Sequence, residues 1–152
     1  RYARWLDDKG RREDWIETVD RFIDNVVRKV VKDESVVQRI RSAIISLNVM
    51  PSMRAMMSAG PALDRDNTCG YNCSYLPVDD MKSFDEAMFI LLCGTGVGFS
   101  VEKKYTNKLP EVPERMFASD DVIVVKDSKE GWAKALRQVI ALLYLLQLQA
   151  LD

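Results

Sequence analysis

Histidine is absent from all 152 residues. Its absence excludes Ser-His-Asp and Cys-His nucleophile pairs, His-containing zinc sites and imidazole general bases among this chain's own side chains. Cysteine is scarce. Cys69, Cys73 and Cys93 are an odd number with no C-x-x-C spacing, which argues against both a disulfide scaffold and a thiolate zinc site. Neither sign of charge dominates: 22 basic and 23 acidic residues leave a net charge of −1. Without a long single-sign run there is no nucleic-acid groove and no polybasic membrane patch to expect. The longest apolar run, Val139 to Leu146, falls well short of the roughly 20 residues of a membrane span. The opening Arg1, Arg4, Asp7 and Asp8 are unlike a secretory signal. A cytoplasmic location, with no nucleic-acid and no membrane partner, is the expectation. What remains, 47% hydrophobic and 30% charged residues, suits a globular chain with a real core.

Between Glu13 and Val31, apolar residues recur at three-and-four spacing through Trp15, Ile16, Val19, Phe22, Ile23, Val26, Val27 and Val30. This predicts an amphipathic helix. Ser35 and Gln38 form an S-x-x-Q capping box before a second helix that runs to about Asn48. Pro51 to Asn72 is rich in turn formers and predicts loop. A short strand is predicted over 72–78, and a third helix over 83–93 behind a Ser83–Glu86 box, stopped at Gly94. Alternation of Val97, Phe99 and Val101 predicts a strand over 97–103, and the helical crossover favours its parallel pairing with 72–78. Residues 104–120 predict an exposed loop, Val122 to Val125 a short strand, and a last helix runs to about Tyr144. The fold class is mixed α/β, with a helical region at 1–50 followed by an α/β region at 51–152.

The glycine cluster Gly94-Thr95-Gly96-Val97-Gly98 has the wrong surroundings for a dinucleotide fingerprint. A helix precedes it and a strand follows, and no G-K-[ST] is present. It reads either as a helix stop with close strand packing or as a place where a ligand meets bare backbone. Cys73 lies in Tyr71-Asn72-Cys73-Ser74-Tyr75, where Tyr71, Cys73 and Tyr75 share one face of the strand. It is a small buried hydrophobe or a redox thiol. Cys69 is a poor disulfide partner for it, because four extended residues span about 13 Å against a limit of roughly 7 Å between bridged Cα atoms. Cys93, at the end of an apolar helical face, is expected to be structural. The methionines at 50, 53, 56 and 57 read as core filler, with Ser52, Arg54 and Gly60 leaving an anion contact open.

Four stretches in order carry a resemblance: Pro51-Ser52-Met53-Arg54 with Ser58-Ala59-Gly60; Tyr71-Asn72-Cys73-Ser74-Tyr75; Cys93 through Glu102; and Asp127-Ser128-Lys129-Glu130-Gly131-Trp132. Together they resemble the amino-terminal part of class II, adenosylcobalamin-dependent ribonucleotide reductases, in particular the monomeric triphosphate-reducing type. The resemblance covers most of residues 1–144, and Leu145 to Asp152 departs from it. It implies the first strands and helices of a ten-stranded α/β barrel, incomplete here, starting at residue 51. It also implies thiyl-radical conversion of ribonucleotides to deoxyribonucleotides. Cys73 matches the first of two reducing cysteines. Ser52, Asn72 and Gly96 match substrate contacts, and Asp80-Met81-Lys82 the start of a deoxynucleotide effector site. The implied cofactor, adenosylcobalamin, belongs to the complete enzyme, with none expected on this piece, which alone is expected to be inactive. Implied partners are the ribonucleotide, the effector and the rest of the reductase chain, with self-association through helices 83–93 and 129–144 as a further expectation. The rival reading is a non-catalytic nucleotide-effector or helix-mediated interaction module.

Overall fold

The computed structural model describes residues 2–116 and 118–145. The segment 146–152, within the stretch that departs from the family pattern, lies outside the described residues. The chain divides into two compact units between Asn72 and Cys73.

The first unit opens with a two-residue antiparallel ladder, β1 (Trp5–Leu6) against β2 (Arg11–Arg12). Helix α1 (Trp15–Phe22) starts at a capping box: the Asp14 carboxylate accepts from the Glu17 amide at 2.8 Å, and Glu17 accepts from the Asp14 amide at 2.9 Å. The predicted helix continues through a π turn (Ile23–Val27) into α2 (Arg28–Val30). Helix α3 (Glu34–Ile45) is shorter than predicted, and its cap is not the Ser35–Gln38 box. Asp33 lies two residues earlier and takes both the Ser35 amide (2.9 Å) and the Ser35 hydroxyl (2.7 Å), which places Ser35 inside the helix. Gln38 donates instead to Glu34 at 2.7 Å. The segment predicted as loop folds into α4 (Met53–Ser58), α5 (Pro61–Arg65) and a 3₁₀ turn (Asn67–Gly70). These are too short for periodicity to show, and local devices set them: Ser52 caps α4, and Pro61 begins α5.

Val19, Phe22, Ile23, Val27, Val37, Ile44, Met56 and Ala59 form the core of this unit. Beside the core, the Arg21 guanidinium donates to both Glu13 carboxylate oxygens at 2.7 and 3.0 Å. It also donates to the carbonyls of Tyr2 (2.9 Å), Met56 (2.9 Å) and Ala59 (3.0 Å). The pair is almost fully enclosed, with side-chain exposures of 12% and 6%. Burial by itself would raise the Glu13 pKa. Hydrogen bonds from Arg21, the Arg4 amide and Thr18 outweigh it, so the carboxyl sits below its ordinary value. Arg21 thus ties the segment before β1, α1 and the far end of α4 together.

The second unit is built on β3 (Cys73–Pro77), α6 (Lys82–Leu92) and β4 (Gly96–Ser100). The two strands pair in parallel, as expected, with α6 as the crossover. The Ser83–Glu86 box does not form. Ser83 is buried and donates to the Pro77 carbonyl at 3.1 Å, while the Asp80 carboxylate accepts from the Lys82 amide at 2.8 Å. Gly94, at φ +83°, supplies the left-handed residue that stops α6. β4 ends at Ser100, earlier than predicted, and a short helix α7 (Lys103–Thr106) occupies the start of the predicted loop.

Helix α8 (Lys129–Leu145) is capped by the Ser128 hydroxyl, which accepts from the Gly131 amide at 3.0 Å. A Cβ at position 131 would collide with the Lys126 backbone, so the chain turns into α8 only over a glycine. Contacts of Asp85 with Arg137 and of Cys93 with Lys129 run α6 and α8 antiparallel, side by side. The predicted strand at 122–125 pairs with no other strand among the described residues. Its alternation is real, since Val122 and Val124 are exposed while Ile123 and Val125 are half-buried. The architecture is mixed α/β, with two two-stranded sheets among the described residues.

Candidate functional site

The residues with the most chemistry meet on one face of the β3–β4 pair. Side chains of paired residues in adjacent strands point the same way and alternate along each strand. The register pairs Cys73 with Gly96, Tyr75 with Gly98 and Pro77 with Ser100, which puts these six on one face. Ser74, Leu76, Val97 and Phe99 take the other. Two sequence-predicted site residues, Cys73 and Gly96, are therefore direct cross-strand neighbours, in keeping with an exposed thiol beside bare backbone. Cys73 is an exposed free thiol, whereas Cys93 is buried and accepts from Lys129 Nζ at 3.3 Å. The Ser74 hydroxyl donates to the Gly96 carbonyl at 3.1 Å and helps fix the register at this point.

Beyond the carboxyl end of β4, Glu102 and Lys104 pair at 2.8 Å, and the Lys104 ammonium lies 4.8 Å from the centre of the Tyr105 ring. The Lys104 pKa is raised above the ordinary lysine value, first by its bond to Glu102 and then by the Tyr105 and Tyr75 hydroxyls. This cation lies past the carboxyl end of β4, whereas Cys73 and Gly96 begin their strands. Neither Tyr75 nor Lys104 is among the site residues expected from the sequence. The alternation that put Tyr75 beside Cys73 was the available signal for the first, and nothing local marked the second.

The remaining predicted site residues have the following places. Asp80 holds the Lys82 amide at the start of α6, Met81 precedes the helix, and Lys82 is exposed. Next to them Asp79 pairs with Lys108 at 2.9 Å. In the first unit, Ser52 spends its hydroxyl on the Ala55 amide at 3.4 Å, and Asn72 is exposed in the bend before β3. A groove of about 540 Å³ lies between α6 and α8. Asp85 on its wall is 3% exposed and binds Arg137 through Oδ2, while its Oδ1 has no hydrogen-bond partner among the described residues. The Arg137 pKa is raised by this bond. No helix among the described residues is long and apolar enough to cross a membrane.

Similarity to known proteins points in one direction. The chain is 27% identical over 166 aligned positions to the adenosylcobalamin-dependent ribonucleoside-triphosphate reductase of Lactobacillus delbrueckii subsp. bulgaricus, covering 86% of this chain and 22% of that protein. The enzymes of the same description from Lactobacillus gasseri and Lactobacillus helveticus are also 27% identical, over 84% of this chain and 21% of theirs. The chain thus spans about a fifth of the length of the curated relatives it matches. No family model and no solved structure matches it. These similarities are distant homology to an oxidoreductase family that works on nucleotides.

Proposed function

We propose that this chain is the Cys73-bearing part of an adenosylcobalamin-dependent ribonucleotide reductase. On this reading, β3, α6 and β4 begin the reductase barrel, and Cys73 is one of the two cysteines that reduce the substrate. The observation that carries it is the register of β3 on β4. It sets an exposed thiol directly across from an exposed glycine, in the parallel strand–helix–strand unit that the resemblance requires.

Thiol chemistry accounts for the arrangement. Replacing a ribose hydroxyl with hydrogen consumes two electrons and two protons, and releases water. Two thiols supply both and leave as a disulfide. Cys73 would give one sulfur, and a cysteine from the rest of the reductase the other, since Cys93 is buried. The bare backbone at Gly96 lets the sugar approach the thiol, and its polar groups can contact the nucleotide. Ser52 and Asn72 would contribute further substrate contacts, and Asp80, Met81 and Lys82 the start of an effector site for a deoxynucleotide. In such an enzyme adenosylcobalamin supplies the radical that starts the reaction. On this reading the cofactor is held by other parts of the reductase, as the resemblance implies.

A helix-mediated contact is a second element of the reading. Leu91, Leu92 and Val139 are exposed on α6 and α8. Self-association through these helices should appear in sedimentation at high micromolar concentration, and a strict monomer there would remove it.

The test of the whole reading is complementation. The 152-residue chain with adenosylcobalamin and a dithiol should form no deoxynucleotide. Adding the remaining portion of a homologous reductase should bring activity. Turnover by the chain alone, or none when the parts are joined in one polypeptide that folds, would contradict it.

A further inference from the structure

The openness of the β3–β4 face is one-sided. Along β4, Gly96 and Gly98 alternate with Val97 and Phe99, so one face is bare backbone while the other carries large apolar groups. Glycine weakens a strand, and β-branched or aromatic cross-strand pairs strengthen it. The glycines thus lower stability only on the face that Cys73 and Tyr75 share. Between Cys73 and Tyr75, side chains come there from β3 alone, because β4 offers Gly96 and Gly98. Cys73 and Tyr75 stand roughly 7 Å apart along the strand, and the space across from them is floored by Gly96 and Gly98. Tyr75 is a large aromatic left 61% exposed. A methyl group built on Gly98 would meet Tyr75 Cδ2 at 3.9 Å and the Ser74 carbonyl at 3.7 Å, so the ring borders the glycine floor without filling it.

We propose that Tyr75 is a substrate-positioning residue, the aromatic wall of a seat in which the ribose of a ribonucleotide lies on the Gly96–Gly98 floor beside the Cys73 thiol. The inference rests on the reading of Cys73 as the redox thiol and goes beyond it by naming what holds the sugar there. The sugar fits on two grounds. It is small enough to lie between thiol and ring, and it is the part of the nucleotide the thiol must reach. The competing account is that Tyr75 merely shields Gly98, an aromatic covering a strand glycine for stability.

Alkylation of Cys73 by iodoacetamide, followed by peptide mass mapping, separates these accounts. The rate is compared with and without each of ATP, GTP, CTP and UTP, with inorganic triphosphate as the control. In the unaltered chain a bound nucleotide should slow alkylation about fourfold at three times its Kd. Tyr75→Phe should keep that protection. Tyr75→Ala should raise Kd by about tenfold, so that protection at the same concentration falls to about 1.3-fold. Gly98→Ala keeps thiol and ring and meets only ordinary contacts, yet should lose protection likewise because the floor is filled. Full protection in Tyr75→Ala or Gly98→Ala would overturn the seat while leaving the nucleotide reading standing. So would a lowered Tm in Tyr75→Ala with protection unchanged. Equal protection by inorganic triphosphate would reduce the site to an anion contact and overturn the seat. No protection of the unaltered chain by any nucleotide would overturn the nucleotide reading of this face and Tyr75's role with it.

Discussion

The two units treat their side chains in opposite ways. In the first, Val19, Ile23, Val37, Ile44 and Met56 are at most 1% exposed, and even a guanidinium and a carboxylate are enclosed and fully paired. In the second, the strand pair that gives the unit its order leaves Tyr75 61% and Phe99 65% exposed. A buried Arg21–Glu13 pair held by backbone carbonyls serves architecture: every donor of its fork has a partner, and nothing is left for a ligand. An exposed thiol next to two bare glycines does nothing for packing. The enclosed Arg21–Glu13 pair lies in the first unit and the open thiol in the second, where the buried Asp85 is paired with an exposed Arg137.

Removing Arg21 should have the largest effect. Arg21→Ala leaves the Glu13 carboxylate buried without its main partner and frees three carbonyls, and should cost about 3–5 kcal/mol in urea unfolding. A loss under about 1 kcal/mol would mean that the first unit is not built around this pair. Next, Ile44→Ala should cost about 2–5 kcal/mol by opening a cavity in the core, whereas Phe99→Ala should cost under about 1 kcal/mol because the ring is mostly in water. Equal costs would erase the contrast between the units.

The Glu13 carboxyl gives the comparison a pH axis. Its pKa is lowered in the folded chain, so its contribution is present above the unfolded value of 4.5 and lost as pH falls through the lower folded value. The first unit should therefore lose stability below about pH 4.5, and Glu13→Gln, less stable at neutral pH, should lose less over that window. Parallel acid profiles would contradict the assignment. Ser52→Ala should cost about 1 kcal/mol or less, since its bond to the Ala55 amide is long at 3.4 Å. If Ser52 also touches substrate, the same variant in a complete reductase should raise KM more than this small loss would suggest.

Much of the fold was legible in the sequence, for a physical reason in each case. The long helices announced themselves by period, and the parallel β3–β4 pair followed from alternation on either side of a helical crossover. Helices of four to six residues carry no period, so α4, α5 and α7 were hidden in what read as loop. The expected caps fail where another acceptor takes the hydroxyl, the Asp33 carboxylate that of Ser35 and the Pro77 carbonyl that of Ser83. Residues 122–125 alternate as a strand does, but a strand also needs a partner, which periodicity cannot supply. At the site, the sequence marks Cys73 and Gly96 only separately. Their register, which makes them neighbours, depends on where β4 starts, and that start is set by the Gly94 stop.

The smallest expected change in stability carries the most weight for function. Because Cys73 is exposed, Cys73→Ser should shift unfolding by no more than about 0.5 kcal/mol. Serine cannot give up an electron pair and be regenerated from a disulfide. The direct measurement joins this chain, with and without the substitution, to the rest of a homologous reductase and records Tm and multiple-turnover deoxynucleotide formation together. The account predicts an unchanged Tm and no sustained turnover. A variant that folds and still turns over at the unaltered rate would contradict it.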